Sequence, residues 1–163
     1  QKLTDLDVPL FVHASSTDGV GGLKDDRLSQ HNLSLSLGYA QEETLAVAQL
    51  LLGGVLDRHP ALDVCLSHGG GTAAFLAEKM DQLAQVDPAA SESVKRNGFG
   101  HELQNLWFDP HVKGELAAAA LRHYAHEDKL VLGTNLGGFD TPEALSADAA
   151  RFSQNARRLL RLP

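Results

Sequence analysis

The feature that most constrains this chain is a fourfold alternation, in which a short apolar run of strand length is followed by a stretch with helical spacing. The apolar runs are "PLFV" at 9–12, "LDVCLS" at 62–67, "NLWF" at 105–108 and "KLVLGT" at 129–134. Helical patterns run from about Gln41 to Arg58, from Thr72 to about Val86, through "GELAAAALRHYAHE", and onward from Thr141-Pro142-Glu143. That last start carries a capping side chain, Pro at the first helical position and an early acid. Strands and helices that alternate in this way argue for parallel βα units, either an open α/β sheet or part of a β/α barrel.

The same periodicity assigns faces. The first helix should place Leu45, Ala48, Leu52, Val55 and Leu56 on its buried stripe, and the last should bury Leu145, Ala149, Phe152, Ala156 and Leu159 or Leu160. "DPAASESVKRNGFG" reads as a connection. No short-period repeat or linker divides the chain, so residues 1–163 are expected to form a single domain, and 43% hydrophobic content suits one core.

Charge and composition narrow the partners. A formal net charge of −7 excludes a general nucleic-acid binder, because phosphate neutralisation needs clustered Lys and Arg. The one basic cluster, "ARRLLRLP", fits the cationic end of a helix. The longest apolar stretch, "LAVAQLLLGGVL", is too short for a bilayer, and "QKLTDLDVP" has no apolar leader core, so no membrane partner is expected. The single cysteine, Cys65, excludes an internal disulfide and a cysteine-rich zinc site, and a reducing cytoplasm is the expected location.

The chemistry lies in the polar residues that stand at the ends of the apolar runs: His13, His68, Asp109 and Asn135. In parallel α/β folds the carboxyl ends of the strands face one crevice, and neighbouring strands lie about 4.8 Å apart. Four such side chains can therefore converge, and two imidazoles with an acid and an amide suit a metal or acid–base site. Each also has a local reading: a strand-capping His13, a turn-forming Asp109 before Pro110, turn chemistry at Asn135, and a His68 that only borders a glycine turn. His111, close to Asp109, stays a candidate, whereas His123 and His126 suit a helix C-terminus and His31, His59 and His101 fall in loops or turns. Gly69 and Gly70 in "SHGGGTAAF" are expected to let the backbone and a substrate approach each other. An "HGGG" oxyanion loop would require a G-x-S-x-G elbow, and a dinucleotide or phosphate loop would require G-x-G-x-x-G or a P-loop lysine; all are absent.

The segments "LFVHASSTDG", "GYAQEETLAVAQLLLGGVLDRHPALDVCLSHGGGTAAFLAEKMD", "WFDPHV" and "KLVLGTN" resemble, in order, the C-terminal half of the amidohydrolase-related decarboxylases, the group that includes aminocarboxymuconate-semialdehyde decarboxylase. The resemblance implies a metal-dependent (β/α)₈ barrel of which this chain supplies the last four βα units. It implies a metal-ligating role for His13 and an acid–base role for His68. It aligns Asn135 with the metal-binding Asp of G-T-D or G-S-D. Asp109 falls at a commonly acidic position and joins His68 as a catalytic candidate. A divalent ion, zinc by expectation, would serve decarboxylation or hydrolysis of a small carboxylate or carbonyl compound.

Two departures accompany the likeness. The chain has no H-x-H pair, which the family's first strand brings to the metal, and a whole barrel takes roughly 250 residues. Asn135 also lacks the charge of an Asp, which weakens it as a ligand for a divalent ion, although Asp140 stands nearby in sequence. Two further readings therefore remain. One is a non-catalytic half-barrel whose open sheet edges and apolar inner face lead it to pair with a partner or with itself, so that a homo-oligomer is expected. The other is a degenerate member with an altered metal site.

Overall fold

The computed structural model describes residues 1–15, 25–138, 141 and 147–163. Strands β1 (Leu10–Val12), β2 (Val64–Leu66) and β3 (Trp107–Phe108) form a parallel sheet in the order β1-β2-β3. The fourth apolar run does not form a strand. It joins by one parallel bridge, Phe108 to Leu130, with the Val131 N–H donating to the Phe108 carbonyl at 2.9 Å. The chain then leaves the sheet through Gly133, which lies hard against Asp109, and turns at Asn135 with φ +47°.

The helices are α1 (Lys2–Asp5), α2 (Tyr39–Leu52), α3 (Val55–Arg58), α4 (Ala73–Ala84), α5 (Glu92–Asn97), α6 (Phe99–Leu103), α7 (Glu115–Tyr124) and α8 (Ala149–Leu159), with a π-helical turn at Ser34–Gly38 leading into α2. Three expectations need correction. The single helix expected from Gln41 to Arg58 is broken at Gly53-Gly54, where Gly54 takes φ +64°. Its buried row is Glu43, Thr44, Val47 and Leu51, and the expected stripe residue Leu45 is 44% exposed. The connection "DPAASESVKRNGFG" contains α5 and leads into α6, because the Ser91 hydroxyl accepts from the Val94 N–H and starts a helix.

The helix start at Thr141-Pro142-Glu143 and the core position Leu145 fall on segments outside the described residues, Thr141 excepted. Where α8 is described, Phe152 and Leu159 are buried as expected and Ala149 and Ala156 are half-buried, while Leu160 is exposed. Asn155 is buried between them, donating through Nδ2 to the carbonyls of Glu127 at 2.9 Å and Leu130 at 2.8 Å. That pair of bonds ties α8 to the fourth apolar run.

Strand register sorts the side chains into two layers. Val64, Leu66 and Phe108 enter the main core with Val47 and Leu51 of α2, Ala73 and Ala77 of α4, Phe99 and Leu103 of α6, and Leu121 of α7. The alternate row, Phe11–Cys65–Trp107 in register, points the other way. Cys65 and Trp107 are closed over by Val131 and Leu159, so the apolar inner face expected to be bare is largely covered. Phe11, on edge strand β1, is the part of that row left 57% exposed. Burial, reinforced by the charge of Asp109, pushes the Cys65 thiol up to about 12, which makes it an inert packing group. The chain end is clamped beneath this row: Arg161 donates to Asp7 and to Asp63 at 2.9 Å each, and Asp63 also accepts from the Trp107 indole N–H at 2.7 Å.

Between β2 and α4 the backbone makes a left-handed turn through His68 (φ 47°), Gly69 (φ 64°) and Gly70 (φ 71°), followed by Gly71 (φ 67°, ψ −122°). A Cβ at Gly71 would overlap the Ala40 carbonyl of α2 and lie 2.7 Å from the Thr44 hydroxyl. Gly71→Ala should therefore cost roughly 2–4 kcal/mol of stability, through both the backbone conformation and the helix contact. Urea denaturation checks this, and an unchanged midpoint would show that α2 moves aside freely.

Candidate active site

Because β1, β2 and β3 are parallel, their carboxyl ends open on the same side, and a cavity of about 690 Å³ lies there. His13, Tyr39, Glu43, His68, His111 and Asn135 are among the residues that line it. The His13 and His68 ring centroids are 5.1 Å apart, His68 and His111 5.9 Å, and His13 and Tyr39 5.9 Å. The structure thus brings together His13, His68 and Asn135 as expected, and adds His111.

His68 occupies backbone space that a side chain rarely tolerates. Three bonds hold the turn in place. The His68 N–H donates to Asp109 Oδ1 at 2.8 Å, the Gly69 N–H donates to the Asp109 carbonyl at 2.9 Å, and His68 Nδ1 meets Glu43 Oε1 at 2.7 Å. Asp109 Oδ1 also accepts the His111 N–H at 3.1 Å. The Asp109 carboxylate is therefore engaged by the backbone of both histidines, and the side chain is not part of the cavity wall. Its position fits a group that orients the histidines.

Glu43 is the site residue that sequence reasoning missed. It is 1% exposed, and among the described residues its Oε2 has no hydrogen-bond partner. A carboxylate this deep is unfavourable unless paired, and the His68 ring supplies the pairing. With Nδ1–H donating to the carboxylate, the orientation of the ring is fixed. Thr44, the next residue, locks α2 in place. Its hydroxyl donates to the Ala40 carbonyl at 2.6 Å, accepts the Thr72 N–H at 2.8 Å and lies 2.9 Å from the Thr72 hydroxyl. The one signal in the sequence was a Glu-Thr pair inside an apolar helix, which the expected stripe turned outward.

His13 Nδ1 lies 2.6 Å from the Ala14 carbonyl. Donation there fixes the tautomer and leaves Nε2 as the lone-pair nitrogen. The Asn135 carbonyl accepts from the Gly138 N–H at 2.8 Å and from the Thr141 hydroxyl at 2.6 Å, so its backbone does serve a turn, and the residue is part of the cavity lining. Asp140 lies outside the described residues. Gly70 packs against Phe108 and Val47, and Gly69 against Val112 and Leu121, so the glycine that borders this cavity beside the histidine is Gly71.

The fold and site together define about half of a β/α barrel with its reactive side chains on the strand-end rim. The amidohydrolase family Amidohydro_2 matches residues 1–162, and the chain belongs to that family. It is 29% identical over 163 residues to 2-amino-3-carboxymuconate-6-semialdehyde decarboxylase of Dictyostelium discoideum, covering 98% of this chain and 44% of that protein. It is 27% identical over 131 residues to the enzyme of the same name from Caenorhabditis elegans, covering 80% of this chain and 32% of that one. Among solved structures, 5-carboxyvanillate decarboxylase from Novosphingobium aromaticivorans, complexed with manganese and 4-hydroxy-3-methoxy-5-nitrobenzoic acid, superimposes with a TM-score of 0.71 at 17% identity, covering 98% of this chain and 49% of that one. The chain spans about half the length of that structure and less than half of the curated relatives. Among the described residues no helix is long and apolar enough to cross a membrane.

The metal named for that structure is manganese, so the expectation of zinc in particular finds no support. A bound divalent ion needs about four or more donors. Among the described residues no three His, Cys, Asp or Glu side chains stand close enough to hold one. The described groups therefore do not make a metal site by themselves. Dialysis of this chain against Mn²⁺ or Zn²⁺ and elemental analysis should find well below one equivalent bound if the described groups are all it offers; a stoichiometric, tightly held ion would show that residues outside the described ones complete the donor set.

Proposed function

We propose that this chain carries the proton-transfer half of an amidohydrolase-family decarboxylase that acts on a small carboxylate. The observation that supports this is the His68–Glu43 pair, a cavity-lining imidazole backed by a buried carboxylate at 2.7 Å. In such a reaction His68 delivers a proton to the carbon that bears the carboxylate. The C–CO₂ bond then breaks, its electron pair stays on the substrate and CO₂ leaves, so the step is redox-neutral. His68 regains its proton from solvent. Glu43 stabilises the protonated ring and keeps it in one orientation, and Asp109 holds the turn that presents it. The decarboxylase names of the relatives favour this over hydrolysis.

Within this reading His13 and Asn135 contribute to a divalent-ion site whose other ligands come from outside the described residues, and Gly71, in place of the expected Gly69 and Gly70, borders the space where substrate approaches. The metal would orient the substrate carboxylate. In the protein that contains this chain, His68→Gln should lower kcat by about 10²–10⁴-fold, as loss of a general acid does. Glu43→Gln should lower it less, with KM little changed. The assay is CO₂ release from 2-amino-3-carboxymuconate 6-semialdehyde and 5-carboxyvanillate, the compounds in the relatives' names, and undiminished turnover in the His68 variant would end the assignment.

A second reading rests on the exposed β1 edge with Phe11 and on the incomplete donor set. In that reading the chain associates with itself or with a complementary half-barrel. Sedimentation velocity of this chain should show a concentration-dependent species larger than 17.5 kDa. A monomer at all concentrations would exclude self-association.

A further inference from the structure

We infer that the Asn97–Gly98 pair is a deamidation site which the buried carboxylate of Glu102 holds shut. An asparagine followed by glycine converts readily in an unrestrained chain, because glycine has no side chain to hinder attack by its own nitrogen. Asn97 is the one asparagine here that precedes Gly; Asn32, Asn105 and Asn135 precede Leu, and Asn155 precedes Ala. In the reaction the Gly98 nitrogen loses its proton and attacks Asn97 Cγ. The new N–C bond closes a five-membered imide, the Cγ–Nδ2 bond breaks and ammonia leaves with the proton. Water then opens the imide to aspartate or isoaspartate. Water enters, ammonia departs, and nothing is oxidised or reduced.

The fold opposes each requirement of that reaction. The Gly98 N–H donates to the Val94 carbonyl at 2.8 Å, which keeps the nitrogen engaged. Asn97 is the last residue of α5, and helical backbone turns the following nitrogen away from the side chain it must attack. That side chain is held elsewhere: Asn97 Nδ2 donates to Glu102 Oε1 at 2.7 Å. Glu102 is 5% exposed, and its other oxygen accepts from Asn105 Nδ2 at 2.8 Å, so the carboxylate is fixed from both sides. The corner is also pinned to α4, where Asp81 accepts the Phe99 N–H. Glu102 borders a different cavity from His68, and the proposed proton transfer makes no use of it. The clamp on Asn97 gives this buried acid a role.

Conversion removes a donor and sets a second carboxylate beside that of Glu102, at a corner whose neighbours Val94, Phe99 and Leu103 belong to the main core. Like charges so close are unfavourable, so a corner once modified is loosened where α5 meets α6. Asn97 and Glu102 border a cavity of about 360 Å³, ample for the water that the second step consumes, at roughly 30 Å³ a molecule.

Mass spectrometry of the folded chain kept in alkaline buffer, with samples quenched in acid over time, tests the inference against a free peptide of residues 94–102, VKRNGFGHE. A hydrogen bond to a charged group is worth a factor of roughly ten or more in a rate, so the parent chain should convert at position 97 at least about tenfold more slowly than the peptide. Glu102→Ala should recover about that factor. Glu102→Leu, which keeps the volume, serves if the smaller side chain does not fold. Asn105→Ala removes the other amide of the clamp and leaves the bond to Asn97, so it should convert at the parent rate. A parent chain as fast as the peptide, or Glu102 variants no faster than the parent, would overturn the inference. So would an Asn105 variant as fast as the Glu102 variants, because general loosening and not the clamp would then set the rate.

Discussion

The left-handed turn at His68 is the constraint on which the rest of the site depends. A non-glycine residue at φ 47° is held there because its backbone N–H is fixed by Asp109 and its ring by Glu43. Those two acids come from different elements, β3's end and α2, so the turn forms only once strand and helix have docked. The dependence also runs the other way. Gly71 lies hard against the Ala40 carbonyl, and Thr44 accepts from Thr72, so the approach of α2 that buries Glu43 is set by the same glycine-rich segment. Stability and the orientation of the His68 ring thus share one set of contacts.

The rim shows a division of labour between the side chains that face the cavity and those that aim them. His13, His68 and His111 present rings within 6 Å of a neighbouring ring. Asp109 holds the backbone of two of them and stays out of the wall. The described donors fall short of a metal site, while the chain spans less than half of its curated relatives. The described rim gathers three imidazoles and falls short of an ion site. The covered row of Cys65 and Trp107 shows that the inner face is not simply an open half-shell, because Leu159 of α8 and the Arg161 clamp close most of it.

Much of this was legible beforehand, for identifiable reasons. The short apolar runs "LDVCLS" and "NLWF" mark β2 and β3 because strands buried on both faces need continuous apolar residues, and "PLFV" marks edge strand β1, where Phe11 stays exposed. The run "KLVLGT" shares that composition, yet Gly133 packed on Asp109 and the turn at Asn135 limit it to a single bridge. The stripe on α2 was misread because hydrophobic spacing cannot register a buried polar row: Glu43 and Thr44 are inside only because His68 and Thr72, 25 and 28 residues away, satisfy them.

The sequence by itself determined the alternation of apolar runs and helices, the family, and the placement of His13 and His68 at one rim, since strand ends are local facts and parallel order is a consequence of the alternation. Tertiary structure alone decided that Asp109 holds the backbone of His68 and His111, that Glu43 meets the His68 ring, and that Gly71 lies hard against α2. Each of these is a contact between elements distant along the chain. No local spacing carries that information, because the partner that makes a buried charge tolerable, or a glycine necessary, arrives only when the helices pack.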